Sequence, residues 1–336
     1  MKIVIDNKIP YIREAVGRMG VEAAYLVGSD ISAADVRDAD ALIVRTRTRC
    51  DERLLGGSRV RFVATATIGY DHIDTGYLAK AGIAWANCPG CNAASVGQYV
   101  RSLLLLLAAD GMLDPSRATM GIVGCGHVGT AVLAVAREMG LRVLVCDPPK
   151  GLPGYVPLAR IAAEADIITF HVPLTRAQPH ATWHMADAAF FDSLAKRPFI
   201  VNTSRGEVVD NAALLRALRT GKVSQAAIDT WENEPNINLD LLREVYIGTP
   251  HIAGYSADGK VNADNMSLGA ICRFFHLPSP GLIVPPPLPA DFVYAGDPLQ
   301  LYNPMADSQR LKSAPDQFEH LRGNYPLRRE TAGPAR

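Results

Sequence analysis

The chain has 336 residues, with 34 lysines and arginines and 34 aspartates and glutamates, so its formal net charge is zero. At roughly 150 residues per domain, this length predicts about two domains. Hydrophobic residues make up 48% of the chain and charged residues 20%, a balance that excludes a mostly disordered chain, a collagen-like chain and a rod of heptads. Because there is no excess of basic charge, we expect neither nucleic acid nor a membrane surface as a partner. A small molecule is the expected ligand.

The sequence contains no predicted membrane span and no predicted secretion signal. Its longest leucine-rich apolar run, Leu103–Ala109, is bracketed by Arg101 and Asp110 and is much shorter than the ~20 residues that cross a bilayer. The first residues lead to Asp6 without the apolar core of a signal peptide. Six scattered cysteines suit reduced thiols better than a disulfide framework. We therefore expect a cytoplasmic protein.

Apolar runs alternate with helical stretches through two series of predicted strands. The first series comprises Lys2–Ile5, Ala41–Val44, Phe62–Ala64 and Ile83–Trp85, and the second comprises Thr119–Val123, Arg142–Cys146, Ile167–Phe170, Phe199–Asn202, Ala226–Ile228 and Val245–Ile247. Strands that alternate with helices predict parallel sheets covered by helices. The predicted fold class is α/β, with two Rossmann-like or flavodoxin-like parallel-sheet domains, a cleft between them and a small C-terminal appended segment.

A Leu-rich helix and a later helical stretch predict where the chain passes between the two domains. Residues 1–95 and 256–277 are expected to form a substrate domain, and residues 96–255 a cofactor domain. Residues 278–290 contain two proline clusters and predict an extended linker. Residues 291–336 have few aliphatic side chains, which indicates either a small module that packs on a partner or a partly ordered tail.

A glycine-rich motif, Val123–Gly129, follows a predicted strand and opens a predicted helix. In a dinucleotide site, Gly124 allows the tight turn, Gly126 lets backbone N–H groups approach a pyrophosphate, and Gly129 brings the helix close to the sheet. Asp147 ends the next strand, 18 residues after Gly129, where such a site places the carboxylate that binds the ribose and repels a 2′-phosphate. NAD is therefore the predicted cofactor. A glycine turn in an ordinary βαβ unit is the structural alternative.

Three ionisable residues follow later strands of the second series, namely Arg205, Glu234 and His251. Open parallel sheets bind ligands at this end of their strands. An imidazole can accept a hydroxyl proton, a carboxylate can orient the imidazole, and a guanidinium can clamp a substrate carboxylate. Each residue alone is more often part of a loop salt bridge, but together they predict acid–base chemistry on a small molecule.

Cys88 and Cys91 have the spacing of a metal or redox pair. A structural zinc site requires about four ligands, and the sequence contains no second pair of this kind. We therefore expect no metal. The spacing is interpreted as the result of a Pro-Gly turn that leads into a helix.

In its motifs and in their order, the chain resembles the D-2-hydroxyacid dehydrogenase family over residues 1–277. The resemblance rests on the glycine-rich motif, on the three ionisable residues, and on the segments Thr65–Thr67, Pro89–Ala93, Cys146–Pro149 and Ile247–Tyr255. It implies that Arg205, Glu234 and His251 are catalytic, with His251 as the acid/base, and that Thr46, Thr67 and Tyr255 contact the substrate. The cofactor site implied by the motif and the resemblance comprises Gly124, Gly126, His127, Val128, Gly129, Asp147, Val172, Thr203, Ser204, Asp229 and Gly254.

The resemblance implies an NAD-dependent oxidation of a small phosphorylated hydroxy acid to the 2-oxo acid. One alternative keeps this mechanism and changes the acid, for example to 3-phosphoglycerate or an unphosphorylated hydroxy acid. Another alternative is an NAD-sensing regulatory protein on the same fold, since a fold alone does not establish activity. The presence of all three catalytic residue types argues against a purely regulatory role.

The resemblance also implies a homodimer formed through a C-terminal dimerisation segment. Residues 291–336 are shorter than that segment is in the family and poor in apolar periodicity. The Leu-rich helix at about Asn92–Ala109 is more apolar than a single core stripe requires. We therefore predict a homodimer held mainly around this helix, with residues 291–336 contributing weakly.

Overall fold

The structure, a computed structural model, describes residues 1–333. Within them the strands are β1 (Lys2–Asp6), β2 (Glu22–Leu26), β3 (Ala41–Val44), β4 (Phe62–Thr65), β5 (Ala84–Ala86), β6 (Thr119–Val123), β7 (Arg142–Cys146), β8 (Ile167–Phe170), β9 (Phe199–Asn202), β10 (Gln225–Ile228) and β11 (Ile247–Gly248). The helices are α1 (Ile12–Gly17), α2 (Ala33–Val36), α3 (Glu52–Leu55), α4 (Thr75–Ala81), α5 (Ala93–Ala109), α6 (His127–Glu138), α7 (Leu158–Glu164), α8 (Ala188–Asp192), α9 (Asn211–Arg219), α10 (Leu239–Glu244), α11 (Ala257–Phe275), α12 (Pro304–Ser313) and α13 (Phe318–Gly323). Short 3-10 turns span Gly206–Val208, Pro298–Gln300 and Pro315–Gln317.

The described residues form two compact units. The first unit contains Met1–Asn92, Ser256–Phe292 and the described residues from Arg329 onward, and the second contains Ala93–Tyr255 and Val293–Arg328. Each unit has its own sheet and its own apolar core. The prediction of two α/β domains with parallel sheets is confirmed.

The first unit has a five-stranded parallel sheet in the order β2-β1-β3-β4-β5. This is the flavodoxin-like order, in which the first strand lies between the second and the third. Strands β1, β3 and β4 are almost entirely buried and coincide with predicted apolar runs. The edge strand β2 escapes sequence prediction, because its residues are at most half-buried and lack a β-branched run.

The second unit has a six-stranded parallel sheet in the order β7-β6-β8-β9-β10-β11. The strand order reverses at β6, which lies between β7 and β8. Open α/β sheets bind ligands in the crevice outside the carboxyl ends of the strands at such a reversal. The glycine-rich motif begins at this point, because Gly124 directly follows β6.

Helix α5, which contains the Leu-rich run, is packed inside the second unit. Leu103, Leu104 and Leu107 are at most 1% exposed and share a core with side chains of α6. Only Ala94 and Ala109 of this helix are exposed. Neither α5 nor any other helix in residues 1–333 has the length and apolarity needed to cross a membrane. The apolar excess of α5 is explained by burial within its own unit, so it does not by itself indicate a dimer surface.

The C-terminal part of the chain is folded into the two units. Up to Arg328 it belongs to the second unit, where Tyr302, Leu311 and Phe318 are at most 5% exposed. This arrangement differs from the expectation of a partly ordered tail. A few buried side chains hold the segment in place, and they are too few to form a regular apolar pattern in the sequence. The last residues of the predicted appended segment, 334–336, lie outside the described residues.

A Leu311→Ala variant tests whether the C-terminal part completes the core of the second unit. Leu311 is 0% exposed, so its truncation should leave a cavity and lower the free energy of unfolding by about 2–5 kcal/mol. Val293→Ala is the control, because Val293 is 79% exposed and its truncation should change that free energy by less than about 0.5 kcal/mol. Urea unfolding followed by circular dichroism measures both. Equal stability of the two variants would contradict the described packing.

Candidate active site

The glycine-rich loop between β6 and α6 requires glycine at two of its three glycine positions. A Cβ atom on Gly124, whose φ is 86°, would lie 2.6 Å from the carbonyl oxygen of His171. A Cβ atom on Gly129 would lie 2.1 Å from the carbonyl oxygen of Gly124, so the helix could not approach the turn. Gly126 has open space around it at the start of α6. This arrangement leaves the helix N-terminus accessible to a pyrophosphate.

Asp147 follows β7 and supports the glycine-rich loop. Its Oδ2 atom accepts a hydrogen bond of 2.8 Å from the backbone N–H of Cys125. Lys150, three residues later, donates a hydrogen bond to the Cys125 carbonyl. Asp147 is half-buried. Its carboxylate therefore sits beside the loop at the place where a dinucleotide site binds the adenosine ribose.

Predicted cofactor residues after β8 and β9 lie close to the same loop. Val172 lies so close to Gly124 that a Cβ atom added to this glycine would be 2.7 Å from a Cγ atom of Val172. Thr203 Oγ1 lies 3.3 Å from Nδ1 of His171, and burial lowers the pKa of His171 to about 3. Sequence reasoning missed His171, for which the available signal is its position directly after β8. As a neutral, buried imidazole it links the ends of two neighbouring strands.

Neighbours of these residues complete the predicted cofactor set. Ser204 directs both its backbone N–H and its hydroxyl to the side-chain oxygen of Asn202, at 3.1 and 2.8 Å. His127 is exposed and Val128 is half-buried in the first turn of α6. Gly254 is half-buried in the loop that follows His251. The second unit therefore holds every residue predicted to bind the cofactor.

Asp229 is buried at the end of β10, with 1% of its surface exposed. Its carboxylate accepts hydrogen bonds from the Thr249 hydroxyl at 2.7 Å and from the backbone N–H groups of Ile252 and Ala253 at 2.7 and 3.0 Å. Burial raises the pKa of Asp229, although His251 and these donors favour the charged form. These contacts show that Asp229, a predicted cofactor residue, holds the loop that carries His251.

His251 and Glu234 form a hydrogen-bonded pair. Nδ1 of His251 lies 2.9 Å from Oε2 and 3.1 Å from Oε1 of Glu234, and the backbone N–H of Trp231 donates to Oε1 at 2.9 Å. Burial opposes ionisation of Glu234, but His251, the Trp231 N–H and Arg322 outweigh it and lower the pKa of Glu234. Because a carboxylate only accepts hydrogen bonds, Nδ1 carries a proton. Nε2 is then the basic nitrogen of a neutral His251.

Arg205 lies in a loop that packs against the loop of Glu234. It precedes a 3-10 turn, and its Nη1 atom donates to the Ser204 carbonyl at 2.8 Å. A Cβ atom on the next residue, Gly206, would lie 2.0 Å from the Trp231 carbonyl oxygen. Glycine at this position therefore brings together the two loops that carry Arg205 and Glu234.

Tyr255 has a partner that sequence reasoning missed, Arg322 of α13. Arg322 interacts electrostatically with Tyr255, and its Nη1 atom lies 3.5 Å from Oε2 of Glu234. The ring of Tyr255 packs edge-on against Tyr325, with ring centroids 6.2 Å apart. Arg322 lies outside residues 1–277, which carry the motifs of the family resemblance, and no motif indicated a role for it.

The other predicted substrate residues, Thr46 and Thr67, belong to the first unit. Thr46 is exposed in the turn after β3. The Thr67 hydroxyl donates to the Gly69 carbonyl at 2.8 Å and lies 2.7 Å from Thr65 Oγ1, which in turn lies 2.9 Å from Nε2 of His72. Burial lowers the pKa of His72 to about 4. The Thr67 proton is thus already engaged, and donation to a substrate would require the hydroxyl to turn.

Cys88 and Cys91 are buried and unpaired with each other. The Cys88 thiol contacts the carbonyl oxygens of Thr65 and Ala263, each at 3.3 Å. Burial raises the pKa of Cys88 to about 11 and that of Cys91 to about 12, so neither is a ready nucleophile. Among residues 1–333, no three His, Cys, Asp or Glu side chains converge on a possible metal site.

Comparison with known proteins identifies the second sheet as a cofactor domain. Residues 108–253 match the family model described as D-isomer specific 2-hydroxyacid dehydrogenase, NAD binding domain. A solved structure of NAD-bound 3-phosphoglycerate dehydrogenase from Entamoeba histolytica has a TM-score of 0.71 and 25% identity, covering 82% of this chain and 95% of that one. The predicted NAD cofactor is confirmed.

Two similar relatives match nearly the whole chain. The erythronate-4-phosphate dehydrogenase of Bacteroides thetaiotaomicron is 54% identical over 338 residues, which cover 98% of this chain and 97% of the relative. The erythronate-4-phosphate dehydrogenase of Bacteroides fragilis is 53% identical with the same coverage. The chain therefore belongs to the erythronate-4-phosphate dehydrogenase family, on the fold of the D-isomer specific 2-hydroxyacid dehydrogenases.

Proposed function

We propose that this protein oxidises the C2 hydroxyl of 4-phospho-D-erythronate to the 2-oxo acid, 3-hydroxy-2-oxo-4-phosphobutanoate, as a step in pyridoxal 5′-phosphate biosynthesis. The observation that carries the proposal is the His251–Glu234 pair, in which Glu234 holds Nδ1 at 2.9 Å and leaves Nε2 as the base. The pair occurs in a chain 54% identical to a relative named for this substrate.

His251 performs the proton transfer in this proposal. Its neutral Nε2 accepts the proton of the C2 hydroxyl as the C2–H bond breaks. Glu234, ionised because its pKa is lowered, stabilises the imidazolium that results and fixes the ring orientation. Arg205 holds the C1 carboxylate or the developing carbonyl oxygen with its guanidinium. When bound, NAD supplies the nicotinamide C4 atom that accepts the hydride from C2.

The glycine-rich loop of the second unit suits the pyrophosphate of NAD. The open space at Gly126 admits a pyrophosphate to the start of α6. The carboxylate of Asp147 would accept hydrogen bonds from the ribose hydroxyls and repel a 2′-phosphate. We assign the remaining cofactor contacts to His127, Val128, Gly129, Val172, Thr203, Ser204, Asp229 and Gly254.

We assign substrate contacts to Tyr255 in the second unit and to Thr46 and Thr67 in the first. Tyr255 is next to the His251 loop and carries a hydroxyl that can donate to a substrate oxygen. Thr46 has an exposed side chain. The Thr67 hydroxyl accepts a hydrogen bond from the substrate in this assignment. It could donate one only if it no longer donated to the Gly69 carbonyl.

We also infer that the protein works in the cytoplasm as a homodimer. The six cysteines are all free and buried, which suits a reducing compartment. On the proline-rich stretch of the first unit, Leu282 and Val284 are 82% and 68% exposed. Exposed aliphatic side chains of this kind suit a contact with a second copy of the chain.

A substrate panel tests the proposed reaction. The protein is mixed with NAD and 4-phospho-D-erythronate, 3-phosphoglycerate or D-lactate, and NADH absorbance is followed with and without a 2-oxo acid acceptor that reoxidises bound cofactor. We expect kcat/KM for 4-phospho-D-erythronate to exceed the others by at least about tenfold. Preference for 3-phosphoglycerate would indicate a different acid. NAD binding without turnover of any acid would indicate a regulatory protein.

The variant His251→Asn tests the base. Asparagine tolerates the left-handed backbone of His251, whose φ is 57°, so the loop should stay folded while kcat falls by about 10²–10⁴-fold. Affinity for NAD, measured by calorimetry, should stay unchanged. His276→Asn is the matched control, because His276 is exposed and has a φ of 56° at the end of α11. Near-normal kcat of the His251 variant would assign the base to another residue.

Variants of Asp147 test cofactor choice. The unmodified protein should bind NAD at least about tenfold more tightly than NADP, which corresponds to about 1.4 kcal/mol. Asp147→Asn should reduce this preference for NAD over NADP, because it removes the negative charge but keeps an acceptor for the Cys125 N–H. Asp147→Ala should also reduce the preference, and it should weaken NAD binding more than Asp147→Asn does. Equal affinity of the unmodified protein for both cofactors would contradict the assignment.

A further inference from the structure

Arg322 of α13 lies beside the catalytic pair, although it is 88 residues from Glu234 along the chain. Its Nη1 atom is 3.5 Å from Oε2 of Glu234, the same oxygen that lies 2.9 Å from Nδ1 of His251. Arg322 also interacts electrostatically with Tyr255. The side chains of Arg322 and Glu234 are only 18% and 17% exposed, so water and salt screen their interaction weakly.

Other charged and titratable groups face the pair from the neighbouring elements. Asp229, at the end of β10, interacts electrostatically with both His251 and Arg322. Glu319, one turn earlier on α13, lies 4.0 Å from Arg322 and is 36% exposed. Tyr255 faces the guanidinium from the loop after His251. Within this group Arg322 carries a permanent positive charge, whereas that of His251 depends on protonation.

We propose that Arg322 is a positioning residue of the active site, which holds the Glu234 carboxylate in place beside His251. The inference rests on the roles assigned to His251 and Glu234 under the proposed function. It makes the C-terminal part of the chain a component of the active site in addition to its place in the core.

The charge of Arg322 acts on the Glu234 carboxylate. A guanidinium beside a carboxylate favours its ionised form, and Arg322 contributes to the lowered pKa of Glu234. An ionised Glu234 accepts the Nδ1 proton of His251, which leaves Nε2 to accept the substrate proton. Loss of Arg322 should therefore loosen the hydrogen bond between Glu234 and His251.

The experiment compares Arg322→Gln and Arg322→Lys with the matched control Arg310→Gln. Arg310 is an arginine of the same C-terminal part, pairs with Asp307 and is 60% exposed. The NMR signal of the His251 Nδ1 proton, which is hydrogen-bonded to Glu234, is followed in the NAD-bound protein, with His251→Asn used to assign it. The kcat and KM of oxidation are measured on the same proteins.

We expect Arg322→Gln to shift or broaden the Nδ1 proton signal and to lower kcat by about 3- to 10-fold with little change in KM, because Glu234 is no longer held in place. Arg322→Lys should restore the signal and only part of kcat, because an ammonium keeps the charge but not the planar geometry of a guanidinium. Arg310→Gln should match the unmodified protein in every measurement.

An Arg322→Gln protein with an unchanged Nδ1 proton signal and unchanged kcat would overturn the proposal. If that variant does not fold, the lysine variant decides, because unchanged kcat and KM in Arg322→Lys would exclude a positioning role. The NMR measurement requires no substrate. A failure of the proposed reaction, seen as absent turnover by the unmodified protein, is therefore distinguishable from a failure of this inference.

Discussion

The buried carboxylate of Asp229 holds the backbone on which His251, the proposed base, depends. It accepts hydrogen bonds from Thr249 before His251 and from Ile252 and Ala253 after it. His251 has a left-handed backbone with a φ of 57°, a conformation that costs a residue with a side chain about 1–3 kcal/mol. The three hydrogen bonds to a carboxylate, in a buried environment, offset this cost. The strained conformation persists because these hydrogen bonds fix the chain both before and after His251.

The same buried network connects the loop of His251 to the loop of Glu234. The indole N–H of Trp231 donates to the Thr249 carbonyl at 2.9 Å, and the Trp231 backbone N–H donates to Glu234. The Thr249 hydroxyl also lies 3.0 Å from the hydroxyl of Tyr99 on α5. A buried network whose members have partners is rigid. The short distance between the imidazole and the carboxylate therefore follows from the packing of the second unit and does not require a ligand to create it.

The C-terminal part of the chain also supports the loop that carries His251. Arg328 is buried, and its guanidinium donates to the carbonyls of Ala253 and Tyr255 at 2.7 and 2.8 Å. It also lies over the ring of Tyr302, with its central carbon 3.8 Å from the ring centroid. Arg322 adds its contact with the Glu234 carboxylate. A stretch with few aliphatic side chains is held by buried arginine and aromatic contacts, which leave little periodic signal in a sequence.

The sequence by itself determined those features that depend on neighbouring residues. Apolar runs predicted most strands, and the spacing of the glycine-rich motif predicted which glycines the turn at β6 requires. Because parallel strands place their carboxyl ends at one edge of a sheet, the positions of Arg205, Glu234 and His251 after successive strands predicted a common site. Only the tertiary structure decided that Asp229 anchors the histidine loop, that α5 packs its leucines inside its own unit, and that Arg322 reaches the Glu234 carboxylate. Each of these depends on contacts between residues far apart along the chain, and neither local spacing nor apolar periodicity carries information about such contacts.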